Sequence, residues 1–210
     1  MSALIHPTTN LKHSDHLNVV RGEGIYVFDD KGNRYLEGLA GLWCSALGYG
    51  NDELIDAITA QLKTLPYSHM FGGRTHQMGI DLADKLAEMV PISDAKVFFA
   101  NSGSEANDSQ LKMLHYYFNV IGKPKKKKVI SLERSYHGVT MASAALTGLP
   151  AMHTHFDIPV DALGILRAAT PSYYHGQQNN ETEEGFVARL ASDLEAMIER
   201  EGSDNIAAFV

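Results

Sequence analysis

The chain has 210 residues, with 18 Lys and Arg against 25 Asp and Glu, for a formal net charge of −7. That balance excludes a general nucleic-acid surface, which carries a basic excess, and no segment is apolar for long enough to span a bilayer. A hydrophobic share of 44% allows a sizeable core, and the N-terminus lacks the apolar run of a secretory signal, so a cytoplasmic protein is expected.

In chain order, residues 24–38 read as a β-hairpin, because Ile25–Phe28 and Arg34–Leu36 flank the turn chemistry of Asp29-Asp30-Lys31-Gly32-Asn33. The run Leu42-Trp43-Cys44-Ser45-Ala46-Leu47-Gly48-Tyr49-Gly50 follows. Its Cys44 is the single cysteine, which excludes an internal disulfide and reads as a small buried hydrophobe. A helix is predicted to start near Asp52 as N-cap, with Leu54, Ile58, Leu62 and Leu65 on one face before Pro66. A second follows Thr75, with Met78, Leu82, Leu86 and Met89 at helical spacing. Lys96–Ala100 reads as a strand, and the helix opening after it carries Leu111, Leu114, Phe118 and Ile121 as a core stripe ending at Gly122. The lysines of 123–128 read as a solvated connection, and Lys128–Leu132 as a buried strand. Strand, helix and strand predict a parallel pair. A less regular stretch from Pro150 to Asn180 precedes an amphipathic helix around Phe186, Leu190, Leu194 and Ile198. Asn205–Val210 has the composition of another buried strand, inside which the chain is expected to be truncated.

The chemistry concentrates in Asn101-Ser102-Gly103-Ser104-Glu105-Ala106-Asn107-Asp108. Gly103 lets a ligand approach the backbone, Ser102 and Ser104 offer hydroxyls, and the following helix aims unpaired N–H groups and its positive dipole end at the same point. That is a phosphate site, although neither a Walker loop nor a dinucleotide fingerprint is present. The plainer alternative is that Ser104 only caps the helix. His153 and His155 lack supporting Cys or carboxylate spacing, so no metal site is expected.

This motif resembles the cofactor-phosphate loop of the class III (ω-) aminotransferases, fold-type I enzymes dependent on pyridoxal 5′-phosphate (PLP). The 42–50 run, Ser135-Tyr136-His137-Gly138 and Leu146-Thr147-Gly148-Leu149-Pro150 resemble the same family in the same order. The resemblance implies an α/β fold. Residues 1–65 are expected to form an N-terminal small-domain segment, a hairpin plus a helix. Residues 66–210 are then the first part of the PLP-binding large domain, mainly a parallel sheet with flanking helices. It also implies PLP-phosphate contacts from Ser102, Gly103 and Ser104, ring stacking by Tyr136, and a substrate pocket lined by Trp43. Asp108 stands where many relatives carry Glu, and either charge suits the first turn of a helix.

None of the 11 lysines has the setting of the family's cofactor-binding lysine. The aspartate that partners the pyridinium nitrogen in relatives is also missing, so this chain contributes no catalytic residue and is expected to be inactive alone. The implied parent enzyme transfers an amino group from an ω-amino acid or amine to a keto acid such as pyruvate, and works as a homodimer. An aminomutase or a decarboxylase on the same scaffold, or a lysine-free binding module, are the alternatives that these residues leave open.

Overall fold

The computed structural model describes residues 3–7, 10, 12 and 16–210. It divides into two compact units, Met1–Asp94 and Ala95–Val210.

The N-terminal unit is built on an antiparallel sheet, β1 (Val19–Glu23), β2 (Tyr26–Asp29) and β3 (Arg34–Leu36), in that spatial order. The expected hairpin is β2–β3, with Val27 opposite Tyr35. β1 adds a strand whose sequence, Val-Val-Arg-Gly-Glu, hides it behind polar and flexible residues. Asp29 organises the turn. Its carboxylate accepts hydrogen bonds from the N–H groups of Lys31 and Asn33, the Asn33 amide and the Tyr35 hydroxyl. These bonds, the Asn33 side chain foremost, lower its pKa to about 2.

The 42–50 run is hooked onto this sheet by a reciprocal pair, Gly24 N to Tyr49 O at 2.9 Å and Tyr49 N to Gly24 O at 2.8 Å. Two glycines make the approach possible. A Cβ on Gly22 would lie 2.5 Å from the Tyr49 ring, and one on Gly48 2.6 Å from the Gly24 carbonyl oxygen.

Helix α1 (Asp52–Thr64) is capped by Asn51, whose side chain accepts the Leu54 N–H at 3.1 Å. Asp52, expected to be the cap, sits instead in the first turn, where its charge suits the dipole. Helix α2 (Gln77–Met89) is capped by His76. The apolar stripes of both helices are present but uncovered: Ile58, Leu62, Leu82 and Met89 are 50–69% exposed.

The C-terminal unit is α/β. Its parallel sheet has the order β5 (Ile165–Ala168), β4 (Lys128–Leu132), β6 (Ile206–Phe209). Helices α3 (Gly103–Val120), α4 (Met141–Leu146) and α5 (Glu183–Glu201) accompany it. Leu111, Val129, Ala145, Leu146 and Ile165 form the core, while Ile121 at the end of the expected stripe is 46% exposed.

Three expectations change here. Lys96–Ala100 is not a strand: both edges of β4 are taken by β5 and β6, so the segment has no ladder there and Phe98 is 68% exposed. The irregular 150–180 stretch contains β5, concealed because Arg167 interrupts its apolar run. The lysine-rich connection is not merely solvated. Lys127 Nζ donates to the His115 carbonyl and to Asn119 Oδ1 near the end of α3, Lys128 pairs with Glu201 at 2.6 Å, and Lys126 reaches the Ser203 carbonyl. Cations at the α3 C-terminus suit its dipole.

Arg167 is a half-buried cation of this unit. From β5 it donates to Ser131 Oγ on β4, to the Ala145 carbonyl and, at 2.8 Å, to the Thr147 carbonyl, so it fastens the end of α4 to the sheet.

Candidate functional site

The first turn of α3 is arranged so that only some of its donors are free. Ser102 is the N-cap; its hydroxyl accepts the Glu105 N–H at 3.1 Å and its carbonyl the Ala106 N–H at 3.0 Å. The Glu105 carboxylate turns back to the Asn101 N–H and side-chain amide. Among the described residues, the N–H groups of Gly103 and Ser104 are left with no partner. They lie at the positive end of an 18-residue helix, and a Cβ added at Gly103 would meet open space. Ser104 Oγ accepts the Val139 N–H at 3.0 Å, so its own proton remains to be donated. The capping role weighed for Ser104 belongs to Ser102.

The loop that leaves β4 is held against this turn. Asn107 Nδ2 donates to the His137 carbonyl at 2.6 Å, Ser104 holds Val139, and Asp108 Oδ1 accepts both the Thr140 hydroxyl at 2.8 Å and the Ser143 N–H at 2.9 Å. On its other side, Arg134 N and Gly148 O, Gly148 N and Ser135 O, and His137 N and Thr147 Oγ1 are paired. The residues flanking Tyr136 are therefore fixed, while Tyr136 itself is 60% exposed. Ser102, Gly103, Ser104 and Tyr136 share this unit, and Ser104 is bonded to the loop that carries Tyr136.

The glycines of two motifs follow from this packing. Gly138 has φ of 135°, and a Cβ there would lie 2.6 Å from Ser143 Oγ, 2.9 Å from Ser104 Cα and closer still to Ser104 Oγ. A Cβ on Gly148 would collide with the Leu132 carbonyl and stand 2.8 Å from the Arg134 nitrogen. His137 is partly buried with Nε2 unpartnered; burial, then the charge of Arg167, holds its pKa below the ordinary value and keeps the ring neutral.

Trp43 lies in the N-terminal unit, 76% exposed, in a single turn from Ala40 to Trp43. Ala40, Gly41, Leu42 and Trp43 all have φ between 50° and 68°, a left-handed turn. Such geometry costs roughly 1–2 kcal/mol for each non-glycine residue, and it turns Cys44 outward instead of burying it. No helix among the described residues is long and apolar enough to cross a membrane.

The residues that sequence reasoning did not assign are Asn107, Val139, Thr140, Ser143 and Thr147, with Asp108 read only as a helix charge. A signal existed. The stripe of Leu111 and Phe118 continues backward at i−3, i−4 and i−7 from Leu111 to Asp108, Asn107 and Ser104, so one helix face is apolar at one end and grips the loop at the other.

Together, the fold and the arrangement of its elements define an α/β domain of the PLP fold-type I class. The chain belongs to the class-III aminotransferase family, whose model matches residues 9–210. It is 47% identical over 212 residues to probable gamma-aminobutyrate transaminase 2, mitochondrial, of Oryza sativa subsp. indica, covering 99% of this chain and 42% of that protein. Gamma aminobutyrate transaminase 1, mitochondrial, of Solanum lycopersicum is 48% identical, with 93% and 38% covered. Among solved structures, the omega transaminase from Pseudomonas jessenii in complex with PMP superposes with a TM-score of 0.94 at 49% identity, covering 98% of this chain and 46% of that one. An omega-aminotransferase from Paracoccus denitrificans gives 0.93 at 39% identity, with 99% and 46% covered. The chain thus spans less than half the length of these relatives.

Proposed function

We propose that this chain supplies the phosphate anchor and ring platform of a PLP-dependent transaminase that moves an amino group from an ω-amino acid or amine to a keto acid such as pyruvate. The observation that carries this reading is the pair of unpartnered N–H groups on Gly103 and Ser104 at the start of α3, beside the free Ser104 hydroxyl proton. The donor set fits a phosphate monoester: it is donor-only, sits at a helix N-terminus, and holds no competing side-chain anion on those two amides. Gly103 and Ser104 would hold the phosphate, Ser102 would add a hydroxyl, and Tyr136 would lie on the ring face. Bound there, the pyridoxal ring supplies an electron sink for the carbanion formed when the substrate loses its α-proton. The names of the gamma-aminobutyrate transaminase relatives and the PMP in the Pseudomonas jessenii structure support this reading.

Gly103→Pro tests the anchor cleanly. Proline suits the first helical position, and Ser102 before it is already extended (φ −157°, ψ 161°). The substitution removes one anchoring N–H and keeps the helix, so PLP affinity measured by titration should fall about 10- to 100-fold, the scale of one hydrogen bond to a charged group. Unchanged affinity with an unchanged melting temperature would move the phosphate away from Gly103.

The proposal includes inactivity of the 210-residue chain by itself. Lys126, Lys127 and Lys128 are engaged structurally, and Lys112 lies on α3; we assign none of the lysines to covalent capture of the cofactor. No amine-dependent consumption of pyruvate is expected with added PLP, and measurable turnover would overturn the assignment. Trp43 is proposed to line the substrate pocket. In a catalytically complete protein bearing this segment, Trp43→Ala should change donor preference several-fold while leaving the PLP dissociation constant within about twofold; wild-type selectivity would return Trp43 to a purely local role.

Homodimerisation, cytoplasmic location and the division into a 1–65 small-domain segment and a 66–210 large-domain segment belong to the same proposal. Within this chain alone, residues 66–94 group with the N-terminal unit. Light scattering on the complete protein checks the first, and cell fractionation the second.

A further inference from the structure

Asp108 does something that the anchor itself does not require. It lies one turn beyond Ser104 on the same face of α3, and it touches neither of the two free N–H groups. One of its oxygens accepts the Thr140 hydroxyl and the Ser143 N–H together. Thr140 is the N-cap of α4 and forms a capping box with Ser143, so the carboxylate completes the cap of a second helix. That helix is part of the core: Ser143, Ala144, Ala145 and Leu146 are all buried. The carboxylate therefore joins an element that cannot shift to the helix whose first turn carries the anchor. The loop from Glu133 to Val139, with Tyr136 in it, spans the gap between β4 and this joint.

We propose that Asp108 is a positioning residue that sets the register between the phosphate anchor at Gly103 and Ser104 and the ring platform at Tyr136. It fixes the tilt of the cofactor ring without contributing to phosphate capture. The proposal rests on the cofactor reading above and goes beyond it in dividing anchoring from orientation. Asn107 and Ser104 tie the loop at His137 and Val139, but each holds a single backbone atom. Of these three α3 side chains, Asp108 is the one whose partners, Thr140 and Ser143, form the capped start of a buried helix.

The test uses the whole chain, with two probes: inorganic phosphate, which reports the anchor, and PLP, whose induced circular dichroism reports how the ring is held. Asp108→Ala should leave phosphate affinity within about twofold, weaken PLP about tenfold, and abolish most of the induced dichroism. Asp108→Asn keeps the acceptor oxygen and should restore both PLP readouts, which a generic loss of stability would not do. Should the alanine variant unfold, Thr140→Val carries the test, because it removes one of the two bonds to Asp108 and should change the dichroism in the same direction by less. An Asp108→Ala protein that binds PLP with wild-type affinity and dichroism overturns the positioning role while leaving the anchor intact. Equal losses for phosphate and PLP overturn it too, since Asp108 would then be part of the anchor. Failure of the unaltered chain to bind either probe removes the cofactor reading, and this proposal with it.

Discussion

Gly138→Ala is expected to weaken PLP binding by at least about a hundredfold and to cost roughly 3 kcal/mol of stability in the C-terminal unit. Two independent effects act together. A φ of 135° is a conformation that residues with a Cβ rarely adopt, at a cost of about 1–3 kcal/mol. The new methyl group would also meet Ser143 Oγ at 2.6 Å and Ser104 Cα at 2.9 Å, distances at which a neighbour must move. Neither neighbour is free to do so. Ser143 is buried in α4, and Ser104 is a backbone element of the anchor, so relief comes from pushing the loop off α3. That separation breaks the Ser104–Val139 bond and displaces the N–H groups from a phosphate. A displacement of about an ångström is enough to lose two charge-assisted hydrogen bonds, each about tenfold or more. PLP titration and urea denaturation measure the two effects. Wild-type PLP affinity in this variant would mean that the phosphate does not sit beside Ser104.

Arg167→Met should destabilise the same unit by about 3 kcal/mol without touching the anchor directly. Methionine replaces most of the aliphatic stem, so packing changes little; what disappears is the guanidinium fork. Ser131 Oγ keeps a bond by donating to the Leu146 carbonyl at 2.9 Å. The Ala145 and Thr147 carbonyls are not compensated in this way: both residues are fully buried, and an orphaned buried acceptor costs about 1–3 kcal/mol. Arg167→Lys should fall between the two, because an ammonium group retains the charge but cannot span acceptors on two elements. Urea denaturation of the three proteins reads the order. A loss below about 1 kcal/mol for the methionine variant would show that water reaches those carbonyls.

What was legible in the sequence follows a physical line. α3 and α5 could be read because their apolar residues recur at helical spacing, and the start of α3 because a glycine flanked by hydroxyl residues opened it. β4 could be read because it is buried on both faces. Lys96–Ala100 misled because strand composition says nothing about a free edge, and the strands that occupy both edges of β4 come much later in the chain. β5 was hidden by a residue, Arg167, whose burial depends on carbonyls of α4 and its C-terminal end. Asp108 showed its charge but not its partners, since Thr140 and Ser143 are brought to it only by the fold. The exposure of Trp43 and Cys44 followed from a left-handed turn that no local pattern announced.

The split face of α3 has a consequence for how this segment can change over generations. Ser104, Asn107 and Asp108 grip the loop from the same side on which Leu111 and Phe118 enter the core. Inserting or deleting one residue between Asp108 and Leu111 rotates one half against the other by roughly 100°, so either the grip or the core is lost. Length variation in descendants is thereby barred from the helix and displaced to its far side, after Gly122, where the chain leaves the helix through a glycine with φ of 75°.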